Sequence, residues 1–280
     1  MTTQTLDLTK YRPEDGGILD AWSDLYGEKW IFVTGFDIWH KWTGTHWERD
    51  ECQRIRKQVE ALADAMNRAA RDKMLEAFEN LRTAKAENDK DAEDRAKADV
   101  NFWREYVNAT KRSKNRVASV EGMAQARRAV AGATLNTGNA LNLRNGTLCL
   151  DTLELRPHTP DDHLTYCLEY DYKPDALAPR FERFVAEVLV HEGTTNTDEE
   201  LCMLFQEFLG YSLTTETQHE AMLWLSGDGG NGKTVAITIV QKLLGTLCRG
   251  VDFQTIGQPG NYDMAEIQGR RVILSTESKR

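Results

Sequence analysis

Long apolar runs are missing from this chain, and so is any leader of the secretory kind. No stretch approaches the roughly 20 apolar residues of a membrane-spanning helix. The first residues, Met-Thr-Thr-Gln-Thr-Leu-Asp, carry neither the basic nor the apolar region of a signal peptide. The expectation is an intracellular, cytoplasmic protein without membrane contact. Cysteine is scarce: Cys52, Cys149, Cys167, Cys202 and Cys248 are odd in number and never fall in a C-x-x-C spacing, which indicates neither a disulfide framework nor a zinc site. Positive charge is in deficit too. With a net charge of −9, any contact with a nucleic acid has to rest on a locally basic surface inside an acidic exterior. What is present is ordinary globular stock, 40% apolar residues in 280, enough for the cores of about two domains.

The stretch whose spacing dictates a chemistry is 226–234, Ser-Gly-Asp-Gly-Gly-Asn-Gly-Lys-Thr. Gly227, four residues, then Gly232, Lys233 and Thr234 fit the phosphate-loop pattern G-x-x-x-x-G-K-[ST]. Glycines let successive backbone N–H groups turn inward around a polyphosphate. This assigns nucleotide contact to Gly227, Asp228, Gly229, Gly230, Asn231, Gly232, Lys233 and Thr234, with Lys233 reaching the β and γ phosphates and the Thr234 hydroxyl suited to Mg²⁺. The flanks agree. Residues 221–225, Ala-Met-Leu-Trp-Leu, read as a short buried parallel strand. Val235, Ile237, Ile239, Val240, Leu243 and Leu244 then recur at near-helical spacing up to Gly245, and a helix opening here would present its positive end to the anion. Further on, residues 271–277, Arg-Val-Ile-Leu-Ser-Thr-Glu, read as an apolar strand ending in an acid, the arrangement by which nucleotide hydrolases bring a carboxylate to Mg²⁺ and the attacking water. Glu277 is the candidate carboxylate.

Upstream, residues 18–50 are rich in aromatics, and Thr43, Gly44 and Thr45 mark a hairpin turn between aromatic strands. The rings fit either a small core or a platform for single-stranded bases. Ile55, Val59, Leu62, Met66, Ala70, Met74, Phe78 and Leu81 form one stripe of a long amphipathic helix. The nearly all-polar segment 85–97 is then an exposed tip, a helical hairpin turn or a mobile connection, and paired helices of this kind suit either subunit contact or a solvated face. Lys111, Arg112, Lys114, Arg116, Arg127 and Arg128 lie close in sequence to Phe102, Trp103 and Tyr106, a composition open to DNA contact or to ordinary surface charge. Asn145-Gly146 between alternating apolar residues signals a second hairpin. Pro157, Pro160, Pro174 and Pro179 punctuate a connection read as a domain border, after which helical patterns resume at Arg180 and at Glu199.

Several blocks in this order resemble the helicase part of phage, plasmid and large-DNA-virus primase-helicases, whose motor belongs to superfamily three. Residues 42–50 (Trp-Thr-Gly-Thr-His-Trp-Glu-Arg-Asp), 143–151 followed by Arg156-Pro157-His158, 209–214, the glycine loop and 269–277 carry the likeness. The implied fold class is α/β: a mixed α+β helicase-associated domain at 1–180, then an incomplete P-loop NTPase domain of AAA+ type with a parallel sheet at 181–280. The latter divides into a helical bundle at 181–218 and a loop core at 219–280. The resemblance implies a phage- or plasmid-encoded replicative helicase acting in the host cell. It would be a homo-hexameric ring hydrolysing ATP with Mg²⁺ to move along single-stranded or fork DNA, associated with a primase domain or protein. In such a protein Lys233 and Glu277 are the catalytic residues, and Thr234 and Glu277 serve the metal. Such motors also use a later strand with a polar sensor, a DNA-contacting hairpin and an arginine finger. The chain given stops three residues after Glu277, and Thr276 rather than a second acid precedes that residue. The alternative expectation is a non-catalytic DNA-binding or assembly module.

Overall fold

Two hydrophobic cores organise the residues described by the computed structural model, 6–227, 230–252 and 269–275. They belong to two compact units, Met1–Thr43 with Glu48–Gly132, and Gly44–Trp47 with Ala133–Arg280. The proline-punctuated connection lies inside the second unit.

In the first unit, helix α1 (Asp15–Tyr26) leads into strands β1 (Trp30–Thr34), β2 (Ile38–Trp42) and β3 (Trp47–Arg49). Helices α2 (Arg54–Glu87), α3 (Lys90–Thr110) and α4 (Lys114–Arg127) then carry the chain to β4 (Ala129–Ala131), which pairs parallel to β1. The sheet order is β3-β2-β1-β4, with β1 and β2 antiparallel. A parallel partner needs a crossover, and the three helices supply it. Most of the aromatics form a core: Trp22, Trp30 and Trp39 are 0%, 1% and 6% exposed, while Phe36 stands exposed. The Trp39 ring meets Trp22, Trp30 and Phe32 edge-on at centroid distances of 6.1, 6.2 and 5.2 Å. Edge-to-face packing of this kind favours one arrangement beyond simple burial.

The amphipathic stripe forms α2. Ile55, Val59, Leu62, Met66 and Ala70 are buried, but farther along only Ala77 and Ala84 are, while Phe78 is exposed. The polar segment is a helical hairpin turn: Asn88 takes a left-handed conformation (φ 54°), and the Asp89 carboxylate caps α3 by accepting from the Ala92 N–H at 3.0 Å. Nearer the base, the buried Asn67 amide ties the two helices, donating to the Val107 carbonyl (2.7 Å) and the Thr110 hydroxyl (3.1 Å). The start of α2 has no side-chain cap of its own; Asp50 accepts instead from the Ile55 N–H at 3.3 Å and from the Arg54 Nε at 3.1 Å.

In the second unit, β5 (Ala140–Leu143), β6 (Gly146–Cys149) and β7 (Leu155–Arg156) form an antiparallel sheet in that order. Helices α5 (Pro179–Val188), α6 (Glu199–Tyr211) and α7 (Lys233–Leu244) follow, then the parallel pair β8 (Cys248–Gly250) and β9 (Val272–Leu274). The core joins Leu141, Leu143 and Leu148 of the first sheet to Leu164, Tyr166, Leu244, Leu247 and Val272. The second hairpin turns one residue earlier than Asn145-Gly146 implied: Leu143 pairs with Gly146, leaving Arg144 and Asn145 as the loop. Gly146 belongs to the strand because β7 runs close beneath it, where an added β-carbon would sit 2.6 Å from the Arg156 carbonyl oxygen. Asn145 is used elsewhere, exchanging hydrogen bonds with the backbone of Tyr172 at 3.0 and 2.9 Å.

Residues 221–225, expected as a buried parallel strand, form no strand among the described residues. Met222 and Trp224 are 74% and 73% exposed. This segment borders a cavity of about 560 Å³ whose other walls include Phe205, Phe208, Val240 and Ile273. Apolar sequence alone does not make a strand; a backbone ladder is needed, and β9 pairs with β8 instead.

Candidate phosphate-binding site

The glycine loop leads directly into α7, as its spacing predicts. Gly227, Gly230 and Gly232 have positive φ angles of 137°, 82° and 82°. Gly232 stands at the N-cap of α7, and no side chain caps that end of the helix. A side chain at 232 is excluded on two counts: the left-handed backbone, and a β-carbon position 2.7 Å from Val188 Cγ1 and 3.1 Å from Phe184 Cε2 on α5. Helix α5 therefore forms a shelf under the loop. The helical pattern from Arg180 was legible in the sequence; the use of Phe184 and Val188 against a glycine was not.

Lys233 is the first residue of α7, and its ammonium turns back over the loop. Nζ donates to the Gly227 carbonyl and to Asn231 Oδ1, both at 2.7 Å. Thr234 is exposed in the first turn, and its carbonyl accepts from the Thr238 hydroxyl at 2.7 Å. The structure thus gathers Gly227, Gly230, Asn231, Gly232, Lys233 and Thr234 at one helix end. Asp228, Gly229 and Glu277 lie outside the described residues; β9, the strand that leads to Glu277, is formed. Backbone dipoles, a helix N-terminus and an ammonium on one loop suit a polyphosphate, and an exposed threonine hydroxyl beside them suits its Mg²⁺. The donor set therefore fits the nucleotide that the spacing implies.

The strand β9 is held by a half-buried cation at its start. Arg271 donates to the carbonyls of Leu213 and, at 2.6 Å, Ala140, and to the Tyr166 hydroxyl at 3.3 Å. Burial lowers its pKa from the ordinary arginine value, and the Tyr166 interaction opposes that shift. This bracing role was invisible in the sequence, where Arg271 read only as the charged start of a strand.

The Asn-Gly and Arg-Pro-His blocks upstream turn out to belong to a polar framework within the second unit. Asn142, fully buried, donates to the carbonyls of Thr45 (2.8 Å) and Tyr166 (2.6 Å), and its Oδ1 accepts from the Thr147 hydroxyl (3.1 Å). His158 Nδ1 lies 2.8 Å from the same oxygen. Because the amide nitrogen already faces two carbonyls, Oδ1 is the acceptor and His158 carries its proton on Nδ1. The Trp47 indole donates to the Pro160 carbonyl at 2.9 Å, and Arg156 makes a two-pronged pair with Asp162 at 2.8 and 2.7 Å. In the first unit, the arginines of the basic cluster are engaged locally, while Lys111 and Lys114 are exposed. Arg112, Arg116 and Arg127 pair with Asp64, Asp15 and Asp20, and Arg128 donates to the Trp30 carbonyl. Those arginines act as structural ties.

The architecture is that of a mixed α/β protein whose aromatic hairpin and Asn-Gly, Arg-Pro-His blocks are built into its framework. Residues 20–190 match the model of the family described as D5 N terminal like, and the chain belongs to that family, which is associated with phage and plasmid primase-helicases and hence with DNA replication. The matched residues end before the glycine loop. No curated protein matches the chain. Among the described residues no helix is long and apolar enough to cross a membrane.

Proposed function

We propose that this chain carries the ATP-binding portion of a replicative DNA helicase of the primase-helicase type, with a superfamily-three motor. The observation that carries the reading is the Lys233 ammonium folded over a positive-φ glycine loop at the uncapped start of α7. Loop N–H groups bind the phosphates, Lys233 neutralises the β and γ phosphates, and the Thr234 hydroxyl serves Mg²⁺. Glu277 polarises or deprotonates the attacking water. Bound Mg²⁺-ATP supplies the free energy of hydrolysis, which the full-length protein couples to translocation along single-stranded or fork DNA as a homo-hexameric ring in the host cytoplasm, together with a primase domain or protein. The P-loop NTPase domain assigned to 181–280 is part of this proposal.

A second reading is a non-catalytic DNA-binding or assembly module, in which the family-matched region 20–190 is the part that docks DNA or a partner. Equilibrium binding of Mg²⁺-ATP to the wild type and to Lys233→Ala separates the two. The nucleotide reading expects a loss of at least about tenfold in the variant, since one charge-assisted contact to phosphate is removed. Equal affinities would remove its support. ATP turnover stimulated by single-stranded DNA would in addition exclude the inert module.

A further inference from the structure

Asn231 occupies an unusual place in the loop. Its Oδ1 receives the Lys233 ammonium at 2.7 Å, and the same ammonium reaches the Gly227 carbonyl at 2.7 Å. On its other side the Asn231 amide nitrogen fills the space a β-carbon at Gly227 would need. Gly227, Asn231 and Lys233 therefore close on one another, with the side chain of Asn231 as the wedge between loop entry and helix start. Resting on the nucleotide-binding reading above, we propose that Asn231 is a positioning residue: its neutral amide oxygen holds the Lys233 ammonium at the mouth of the loop and yields it to an incoming polyphosphate.

The residue type is what makes the device work. A lysine stem has many rotamers, and fixing its head before the ligand arrives reduces the entropy that binding must remove. An amide oxygen is strong enough to hold an ammonium yet weaker than an anionic phosphate oxygen, so the ligand displaces it. A carboxylate of the same shape would keep the ammonium as an ion pair and repel the phosphates as well. Asparagine at 231 thus gives a head group that is both placed and releasable.

The test is a double-mutant cycle on the full chain, read as the dissociation constant of Mg²⁺-ATP, with thermal midpoints confirming that each variant folds. Asn231→Ala is expected to weaken binding about 3- to 10-fold, the worth of one hydrogen bond. Asn231→Asp is expected to weaken it more than Asn231→Ala does, by a margin that narrows at high salt. In the Lys233→Ala background, Asn231→Ala should have no further effect, because its role acts through that ammonium. Independent, multiplying effects of the two alanine substitutions would overturn the inference, as would wild-type affinity in Asn231→Asp, provided Lys233→Ala is defective. If wild type and Lys233→Ala bind equally, the nucleotide reading itself fails and takes this inference with it.

Discussion

Tyr106 shows how a single group can mark the first core. Its ring is fully buried among the residues that α1, α2 and α4 bring together, and its hydroxyl finds no hydrogen-bond partner among the described residues. Burial pushes its pKa up to about 12 from the usual 10.0. The neutral ring is therefore the form the fold accepts. Its contribution is complete below about pH 10, where unfolded tyrosine is also protonated, and is lost as pH rises through 10 toward 12. Tyr106→Phe is expected to make the alkaline decline in stability shallower by roughly 2 to 3 kcal/mol while changing stability at neutral pH little, since no hydrogen bond is lost. Urea unfolding of both proteins between pH 8 and 12 measures this. A decline of equal steepness in the two would show that the hydroxyl is solvated in the fold. Tyr11, Tyr166 and Tyr170, whose pKa values burial also raises, keep their share of the alkaline limb in both proteins.

Among the elements, those with a strong internal pattern were legible and those that depend on a distant partner were not. The stripe from Ile55 onward specified α2, and the apolar run after Gly232 specified α7 up to its stop at Gly245, because a helix satisfies its backbone locally. The second hairpin was legible but displaced by one residue, since the approach of β7 fixes where Gly146 falls. Residues 221–225 had the composition of a strand and lacked its ladder. At the site, the loop glycines and Lys233 were readable from spacing, whereas the shelf under Gly232 and the brace at Arg271 join residues far apart in sequence and leave no local signal. The α2–α3 hairpin carries its own prediction. Its base buries Ile55, Val59, Leu62 and Met66, but its outer half buries smaller side chains, Ala77, Ala84, Ala96 and Val100. Apolar area falls toward the turn at Asn88, so amide hydrogen exchange should slow steadily from tip to base. Uniform protection along both helices, measured by mass spectrometry, would contradict this.

At the scale of the whole molecule, length and composition spoke for about two domains, and the described residues hold two cores, one rich in indole rings and one built on leucine. The second unit draws Gly44–Trp47 from the early part of the chain. That short piece supplies the Trp47 indole to Pro160 and the Trp47 N–H to Leu164 at 2.8 Å, and its Thr45 carbonyl accepts from Asn142. A fragment comprising 133–280 is therefore expected to unfold at lower urea concentration when alone than with a peptide spanning 40–50 added, the loss being about 3 kcal/mol for three hydrogen-bond partners left unmatched. No shift on adding the peptide would show that these bonds contribute nothing. The same four residues bear on inheritance. A single genetic crossover near residue 132 would deliver a second unit whose Pro160 needs an indole at 47 from the other parent, while Asn142 and Leu164 need only backbone atoms there. Such an exchange keeps all three ties wherever the incoming partner has a tryptophan at 47 and the same backbone course at 44–47, and loses the indole bond to Pro160 otherwise.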